Sequence, residues 1–479
     1  MHRLALLDHK YIWHPFTQMQ DWLKEEPIVI TRGTGPYLID VYGRRFLDAN
    51  SSIWTNLHGH NNPEINKAIR KQLSKIAHSS ALGLANEPAS ILAARLIHAV
   101  NPSFIVDSAK TKLSKVFYSD DGATAMEVAL KLAFEHARRA MGIEHPRFIS
   151  LSNAYHGDTI GAVSLGHINL FHKSFSNLTF KTDSIPAPYC YRCKFNKAKP
   201  EREDARLWRK CKEECLTEIE KKFLKAKNSG RPFTAFVFEP LIQGAAGMIP
   251  QPHGWLKVAS NIAKSFGALL IADEVLTGFG RACSTITREK QYSRCLFASH
   301  QADVQPDIMA VAKGITGGYL PLAATFTTMK IFESFLGKYE QFKTFFHGHS
   351  YTANQLGCAA ALASLDLLVS KDCYNTRKKL EIELDKHLSS LWQLSHVGDI
   401  RRVGMIVGVE LVQSWQTRAE YPLQLQAGIR VCKKMREYGV ITRPVGNVIV
   451  LMPPFVCSNT HIQFMINALF KAIKDVLGN

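Results

Sequence analysis

The chain has 479 residues, of which 46% are hydrophobic and 21% are charged, a composition typical of a globular protein with room for more than one domain. It has no uncharged apolar run long enough to cross a membrane. The N-terminus lacks the continuous apolar stretch of a signal peptide, so we expect a cytoplasmic protein. Ten cysteines in this length do not indicate a disulfide scaffold.

The formal net charge is +18, which favours attraction to polyanions. Lysine and arginine are nevertheless dispersed, without a block of five or more like charges. We therefore expect no nucleic-acid partner. A basic nucleic-acid-binding protein is the alternative from a different functional class.

The predicted elements change character along the chain. Strand-like pieces in residues 1–65, such as "PIVITRG", predict part of a small antiparallel sheet. In residues 66–345, short apolar runs such as "TAFVFEP" alternate with helices, which predicts a large α/β domain with a mostly parallel sheet. Residues 346–479 mix strands and helices. We therefore predict a second, smaller α+β domain built from both chain ends.

Polar residues that end apolar runs are candidates for chemistry, because ligands bind outside the carboxyl ends of strands in such sheets. Asp273 and Glu274 follow five apolar residues in "ALLIADEV". A carboxylate at that depth is costly unless it meets a cation, and a protonated pyridine nitrogen would serve. An aspartate that caps the following turn explains the motif equally well.

Three further motifs each allow two interpretations. Lys313 ends the run "DIMAVAK", where a desolvated lysine could form a Schiff base or simply lie on the surface. Gly122 and Ala123 open a helix, whose free amides and dipole can hold a phosphate, as many helix starts can. Tyr155 and His156 follow another strand, and the tyrosine ring could stack on a planar cofactor or pack in the core.

Six stretches in this order resemble the class III aminotransferases of fold type I over nearly the whole chain. They are "DDGATAMEVALKLA", "AYHGDTIGA", "EPLIQGAAGM", "IADEVLTGFGR", "AKGITGGYLPLAA" and "HGHSYTANQLGCAAA". The resemblance implies pyridoxal 5'-phosphate as the cofactor and a homodimer with shared active sites. It also implies that Lys313, Asp273 and Tyr155 are the catalytic residues.

The same resemblance assigns the contacts with the cofactor. Lys313 forms the Schiff base and Asp273 pairs with the pyridine nitrogen. Tyr155 lies over the ring with His156 beside it. The phosphate is bound by a set drawn from two subunits, namely Gly122 and Ala123 of one and Ser350 of its neighbour.

Three more stretches, "YIWHPFTQM", "SSIWTNLHGH" and "GVITRPVGNVIVLMPP", resemble the branch that transaminates 8-amino-7-oxononanoate to 7,8-diaminononanoate for biotin. By this resemblance, Phe16 and the Ile53–Trp54 pair line the substrate pocket. Arg443 binds the substrate carboxylate, for which its planar guanidinium is suited. Arg281 is a nearby structural or pocket residue. The alternative is another class III aminotransferase, acting on an ω-amino acid or a diamine.

The amino donor stays open between S-adenosylmethionine and lysine. Relatives that use S-adenosylmethionine commonly have two tryptophans where this chain has Ile53 and Trp54, and Pro-Thr where it has His349 and Ser350. The segment that contains Gly348 and His349 looks more like the branch that takes lysine. We count Gly348 and His349 among the predicted substrate-binding residues.

A cysteine pattern suggests one more candidate site. Cys190 and Cys193 form a C-x2-C pair, and Cys211 and Cys215 follow as C-x3-C. Four thiolates at such spacing could hold a tetrahedral zinc ion. Reduced cysteines without a ligand are the default interpretation, so we predict no metal and keep this group as the candidate.

Overall fold

A computed structural model gives the fold and describes residues 1–106, 108–109, 111–287 and 289–478. The strands are β1 Ile30–Thr34, β2 Tyr37–Asp40, β3 Arg45–Asp48, β4 Leu113–Ser119, β5 Phe148–Leu151, β6 Asp183–Ile185, β7 Ala235–Phe238, β8 Ile242–Gln243, β9 Ile249–Pro250, β10 Leu269–Asp273, β11 Ile308–Val311, β12 Ala323–Thr328, β13 Val397–Val403, β14 Ile406–Ser414, β15 Ala419–Glu420, β16 Val440–Ile441, β17 Pro444–Val445 and β18 Val448–Leu451. The helices are α1 Arg3–Tyr11, α2 Met19–Trp22, α3 Ser51–Trp54, α4 Pro63–Leu73, α5 Glu87–Ala99, α6 Gly122–Ala140, α7 Ile160–Leu165, α8 Asn169–His172, α9 Ala205–Trp208, α10 Glu214–Asn228, α11 Trp255–Ser265, α12 Ala298–Gln301, α13 Met329–Glu333, α14 Gln355–Val369, α15 Lys371–Leu388, α16 Ala427–Glu437 and α17 Asn459–Leu477.

The central sheet has seven strands in the order β4-β12-β11-β10-β7-β5-β6. The strands from β11 to β6 pair in parallel, while β12 is antiparallel to both of its neighbours. On β10, Leu269 and Ile271 pack with α6, and Leu270 and Ala272 pack with α10 and α11 on the other face. The predicted α/β protein with a mostly parallel sheet buried on both faces is thereby confirmed.

Strands from the two chain ends form smaller sheets. β1, β2 and β3 pair in antiparallel order, and β16 joins them in parallel through Val440 and Leu47. The sheet β13-β14-β18-β17 comes from the C-terminal part alone. This arrangement agrees with a small domain built from both ends, while the boundaries at residues 65 and 345 stay predictions. In the described part of the chain, no helix combines the length and hydrophobicity that crossing a membrane requires.

The carboxyl ends of six strands, β4, β5, β6, β7, β10 and β11, meet at one edge of the central sheet. β5, β6, β7, β10 and β11 are parallel, and β4 runs in the same direction because it and β11 are both antiparallel to β12. From these ends the chain continues into segments that surround a common cavity, among them residues 120–123, 155–159, 239, 275–276 and 312–313. This edge therefore brings together residues that are far apart in the sequence.

Candidate active site

A cavity of about 780 Å³ opens at the carboxyl edge of the central sheet. Much of the site predicted from the sequence lines its wall, namely Trp54, Gly122, Ala123, Tyr155, His156, Asp273 and Lys313. The wall also contains polar residues and glycines that the sequence did not single out, including Asp120, Asp158, Glu239 and Gly244. The volume and the concentration of titratable side chains are those of a small-molecule site.

Asp273 ends β10 and is only 5% exposed. Its Oδ2 lies 2.7 Å from Nδ1 of His156, and its Oδ1 accepts a hydrogen bond from the amide of Val275 at 3.0 Å. Burial alone would lower the pKa of His156, but the hydrogen bond and the charge of Asp273 raise it above its ordinary value. The pair thus holds a carboxylate in the floor of the cavity.

The neighbouring carboxylate, Glu274, faces a different region. It accepts hydrogen bonds from Thr277 Oγ1, the amide of Ala298, and both the amide and Oγ of Ser299. Burial raises the pKa of Glu274, although Ser299 and the other donors act to lower it. Glu274 therefore anchors the chain around α12, and only Asp273 of the two lines the cavity.

Lys313 lies one residue beyond Ala312, just after β11, and begins a short 3-10 helix, Lys313–Thr316. Its φ of +45° is unusual for a residue with a side chain and is typical of strained functional sites. Burial lowers the pKa of the Lys313 amine, while Asp273 and Glu239 act to raise it. A lowered pKa makes the neutral, nucleophilic amine more accessible.

The N-terminus of α6 forms another part of the wall. Asp121 caps this helix by accepting a hydrogen bond from the amide of Thr124 at 2.9 Å. A Cβ on Gly122 would lie 2.5 Å from Cγ1 of Val275, and a Cβ on Gly157 would lie 2.4 Å from Cβ of Ala123. The backbone thus packs too closely for side chains at these two positions. Because Gly122 and Ala123 line the cavity, the partial positive charge of the helix start is available to an anionic group such as a phosphate.

Aromatic rings connect the cavity with its surroundings. The hydroxyl of Tyr155 donates to Oδ2 of Asp158 at 2.7 Å, and burial together with this bond raises the tyrosine pKa. The Tyr155 ring stacks on His172 with an interplanar angle of 8° and meets the ring of Phe171 edge-on at 6.2 Å. Phe171 in turn contacts Phe16 at 5.3 Å, so this ring series runs outward from the cavity wall.

Arg443 lies at the outer end of the ring series. Its Nη2 donates to the carbonyl oxygen of Phe16 at 2.6 Å. Burial lowers the pKa of Arg443, and the charge of Arg436 adds to that effect. The structure therefore brings together Phe16 and Arg443, two predicted substrate residues that are far apart in the sequence, next to the cavity rather than on its wall.

Arg281 and Ile53 differ sharply in exposure. Arg281 is 1% exposed, and its guanidinium donates to the carbonyl oxygens of Pro453 and Asn56 at 2.7 and 2.5 Å. Burial lowers the pKa of Arg281 to about 9. These contacts favour the structural interpretation of Arg281 over a role in binding substrate. Ile53 is 46% exposed and precedes Trp54, which lines the cavity.

Gly348, His349 and Ser350 lie outside the cavity wall of their own subunit. Gly348 and Ser350 are exposed, and the carbonyl oxygen of Ser350 accepts a hydrogen bond from His78 Nε2 at 2.8 Å. His349 Nδ1 lies 3.2 Å from Oδ2 of Asp120, which does line the cavity. The segment 348–350 is therefore adjacent to the site. Ser350 is exposed, and its contact with a neighbouring subunit stays a prediction.

The four cysteines of the candidate zinc group lie in one region. Burial raises the pKa of the Cys190 thiol to about 12, and Cys193, Cys211 and Cys215 add to the increase. Cys215 Sγ accepts a hydrogen bond from Trp255 Nε1 at 3.2 Å. Across residues 1–106, 108–109, 111–287 and 289–478, no group of three or more His, Cys, Asp or Glu side chains is arranged to hold a metal ion. The thiols are thus near one another without forming a coordination shell.

Comparison with known families agrees with this geometry. Residues 19–473 match the family described as Aminotransferase class-III. The chain belongs to the class-III aminotransferase family.

Individual class-III aminotransferases resemble this chain along its length. The adenosylmethionine-8-amino-7-oxononanoate aminotransferase of Geobacter sulfurreducens is 45% identical over 98% of this chain and 97% of its own length. The enzyme of that name from Nitratidesulfovibrio vulgaris is 46% identical, over 98% of this chain and 81% of its own length. The crystal structure of the Methanocaldococcus jannaschii enzyme of that name is 39% identical with a TM-score of 0.87, and the match covers 99% of each chain.

The site of this class-III aminotransferase contains residues that sequence reasoning missed. Glu239 follows β7 directly, accepts hydrogen bonds from the amides of Tyr155 and Gly244 at 3.3 and 2.8 Å, and lines the cavity. It ends the apolar run "TAFVFE" as Asp273 ends "ALLIAD", so the same signal was available. Phe171 and His172 carried no such signal, because tertiary folding brings their helix, α8, against Tyr155.

We expect Lys313 to be the lysine that binds the cofactor. Sodium borohydride treatment of the purified class-III aminotransferase should fix pyridoxal phosphate on Lys313, as detected by peptide mass mapping. Lys313→Ala should lower turnover by about 10²–10⁴-fold or more, because the proton-transfer group is lost. Lys330→Ala, which removes an exposed lysine of α13, should keep both the visible absorbance and the activity. Label on a different lysine would contradict the assignment.

Proposed function

We propose that this chain is a pyridoxal 5'-phosphate-dependent aminotransferase that converts 8-amino-7-oxononanoate to 7,8-diaminononanoate in biotin biosynthesis, in the cytoplasm. The names of its relatives support the reaction. Within this chain, one observation carries the proposal. Lys313 and Asp273 share a cavity, and Arg443 lies at the outer end of the ring series that starts at its wall.

The residues of the cavity fit the aldehyde, the phosphate, the ring nitrogen and the ring face of pyridoxal phosphate. Lys313 Nζ would hold the aldehyde carbon, and the start of α6 at Gly122 and Ala123 would hold the phosphate. Asp273 would pair with the ring nitrogen, and the hydrogen bond with His156 fixes the carboxylate for that purpose. The ring of Tyr155 would cover the cofactor.

When bound, the cofactor supplies an electron sink that stabilises negative charge on a carbon that loses a proton. The side chains of the protein supply the remaining functions. Asp273 would keep the ring nitrogen protonated. Lys313 Nζ would take the proton from the amine-bearing carbon of the donor and give it to the cofactor. In the second half-reaction, Lys313 Nζ would carry a proton from the cofactor to the carbon of the acceptor that gains the amine. Because one cavity serves both halves, we expect ping-pong kinetics.

The acceptor has a reactive ketone at one end and a carboxylate at the other, separated by methylene groups. Arg443 offers a charged, planar donor for the carboxylate, and the rings of Phe16 and Phe171 offer an apolar path for the methylene groups between Arg443 and Tyr155. The ketone would then reach the side of the cavity where Lys313 lies.

The donor that we propose is a cationic amine, S-adenosylmethionine or lysine. The first bears a sulfonium and the second a terminal ammonium, each beyond the amino group that is transferred. Asp158 is exposed, lines the cavity and is hydrogen-bonded to Tyr155. Its carboxylate can stabilise either cation, so Asp158 supports both donors and selects neither.

The reaction is tested by supplying each donor separately with 8-amino-7-oxononanoate and measuring 7,8-diaminononanoate by mass spectrometry. We expect product with S-adenosylmethionine or with lysine, and a change of the visible cofactor absorbance with the same donor alone. Product from an ω-amino acid or a diamine with another ketone, and none from 8-amino-7-oxononanoate, would refute the proposal in favour of a different class III activity.

Replacing Arg443 tests the acceptor site. Arg443→Ala should raise the KM for 8-amino-7-oxononanoate about tenfold or more, because a charge-assisted hydrogen bond is lost, and should change the donor KM little. Arg436→Ala is the matched control, since Arg436 is an exposed arginine close enough to affect Arg443 electrostatically. Equal increases in both KM values for Arg443→Ala would argue against binding of the acceptor carboxylate.

We further propose a homodimer in which Ser350 of one subunit serves the phosphate site of the other. Large aromatic side chains flank Ser350 and are exposed in the single chain, with Phe346 at 73% and Tyr351 at 60%. Large aromatic side chains are enriched in protein interfaces. The start of α6 supplies the other half of the phosphate site.

Mixed dimers test whether active sites are shared. Lys313→Ala and Ser350→Asp should each be poorly active alone, the second because a negative charge would face the phosphate. Mixing them under exchange conditions should restore activity, since one site of each hybrid dimer then has a native lysine and a native serine from different chains. Light scattering should show a dimer. No recovery despite confirmed subunit exchange would contradict a shared site.

A further inference from the structure

The segment Ser51–Trp54, labelled α3, turns in the left-handed sense. All four residues have positive φ, from +47° at Ser51 to +72° at Trp54, and the amide of Trp54 donates to the carbonyl oxygen of Asn50 at 2.9 Å. Left-handed backbone is unfavourable for residues with a Cβ, and most of all for a β-branched residue such as Ile53. A run of four such residues persists only if its surroundings hold it in place.

Asp48, the last residue of β3, supplies most of that support. Its side chain is 1% exposed. Oδ1 accepts hydrogen bonds from the amides of Ser52 and Asn50 at 3.0 and 3.3 Å, and Oδ2 accepts one from Ser52 Oγ at 2.8 Å. His60 Nε2 lies 3.0 Å from Oδ2. One buried carboxylate thus binds the backbone and the side chain of the left-handed turn.

Asn50 stabilises the same turn through its side chain. It is buried, and its Oδ1 accepts a hydrogen bond from Nε1 of the Trp54 indole at 2.8 Å. The hydroxyl of Ser51 donates to the carbonyl oxygen of Met452 at 2.6 Å, which fixes the turn to the chain just after β18. The indole is therefore held both through its backbone and through its ring nitrogen.

The ring that is held in this way faces the reacting amine. Nζ of Lys313 lies 5.1 Å from the centre of the Trp54 ring, a distance at which the face of an indole attracts a cation. Trp54 also lines the cavity beside Gly244, where an added Cβ would come within 3.7 Å of its Cζ3. The orientation of one side chain thus connects the left-handed turn with the chemistry of the site.

We propose that Asp48 and Asn50 are positioning residues that hold the Trp54 indole over the Lys313 amine by maintaining the left-handed turn Ser51–Trp54. This inference rests on the proposed function only in taking Lys313 as the reacting amine. The turn is unfavourable by itself, and it presents an aromatic face to the Lys313 amine. Neither positioning residue lines the cavity itself.

The proposal has a consequence for the protonation of the Lys313 nitrogen. A π face over that nitrogen favours its cationic form. The other ionisable groups around it are Asp273 after β10 and Glu239 after β7, which favour the same form, and His156 in the loop after β5, which pairs with Asp273. Moving the indole away leaves these groups in place, so the loss of the π face should lower the pKa of the nitrogen.

The pH midpoint of the visible absorbance of the bound cofactor reports this pKa in the holoenzyme and requires no substrate. Asp48→Asn should lower the midpoint by about 0.5–1 pH unit. Trp54→Leu should lower it by the same amount, and the double variant should show no further change, because both substitutions remove the same interaction. Ser52→Ala, which removes one hydrogen bond to Asp48, should cause a smaller shift in the same direction.

Asp40→Asn is the matched control. Asp40 is 2% exposed and also binds a turn, through the amides of Tyr42 and Arg44 and through Nε of Arg44. It should affect thermal stability as Asp48→Asn does and leave the midpoint unchanged. An unchanged midpoint in both Asp48→Asn and Ser52→Ala, or an undiminished Asp48→Asn shift in the Trp54→Leu background, would overturn the proposal. Ser52→Ala keeps the test decisive if Asp48→Asn does not fold. Failure to use 8-amino-7-oxononanoate would leave this measurement intact, so the two proposals fail separately.

Discussion

Asp273 carries a carboxylate to the buried end of β10, and a charge persists there only if nearby groups compensate for the water that it loses. His156 compensates from 2.7 Å, and its own pKa rises in return. The same carboxylate acts to raise the pKa of the Lys313 amine, although burial keeps that pKa below its ordinary value. One buried charge therefore influences the protonation of both basic groups nearest to it.

Glu239 shows how the same edge of the sheet adds a pH-sensitive element. Burial raises its pKa to about 7, although His156 and the amides of Gly244 and Tyr155 act to lower it. An acid whose pKa is higher in the folded protein than in the unfolded chain favours folding only while it is protonated. The contribution of Glu239 to stability is therefore lost as the pH rises from its ordinary pKa through about 7. Its hydrogen bonds join the loop after β5 to the segment after β7, so its ionisation bears on two walls of the cavity.

The sequence predicted the parts of the site that follow from local pattern. Asp273 and Lys313 end apolar strands, and Gly122 opens a helix, so the rule that ligands gather at carboxyl ends was enough to select them. The pattern also applied to Glu239 and was not used there. Arg281 shows the limit of motif reasoning. It lies close to pocket residues in the sequence, but its guanidinium donates hydrogen bonds to two backbone carbonyl oxygens.

Other features of the site depend on tertiary structure alone. The pairing of Phe16 with Arg443 and the approach of Phe171 to Tyr155 join distant segments through ring contacts and a backbone hydrogen bond, for which the sequence has no periodic signal. The left-handed turn at Ile53 contradicts local propensity, since a β-branched residue disfavours positive φ. Residue propensities fail to predict this turn because buried residues outside the segment determine its conformation. Such failures are expected at functional sites.

The contact between Ser51 and the chain just after β18 also has a consequence for the order in which the protein matures. The hydroxyl of Ser51 donates to a carbonyl oxygen 401 positions further along the chain, so this contact cannot form until Met452 has left the ribosome. Contacts between such distant segments carry a high loop-closure entropy and form late. The central sheet and the lysine after β11 are synthesised much earlier. A nascent chain can therefore fold the central sheet before the turn that carries Trp54 is fixed, and that turn is completed only once the chain after β18 is available.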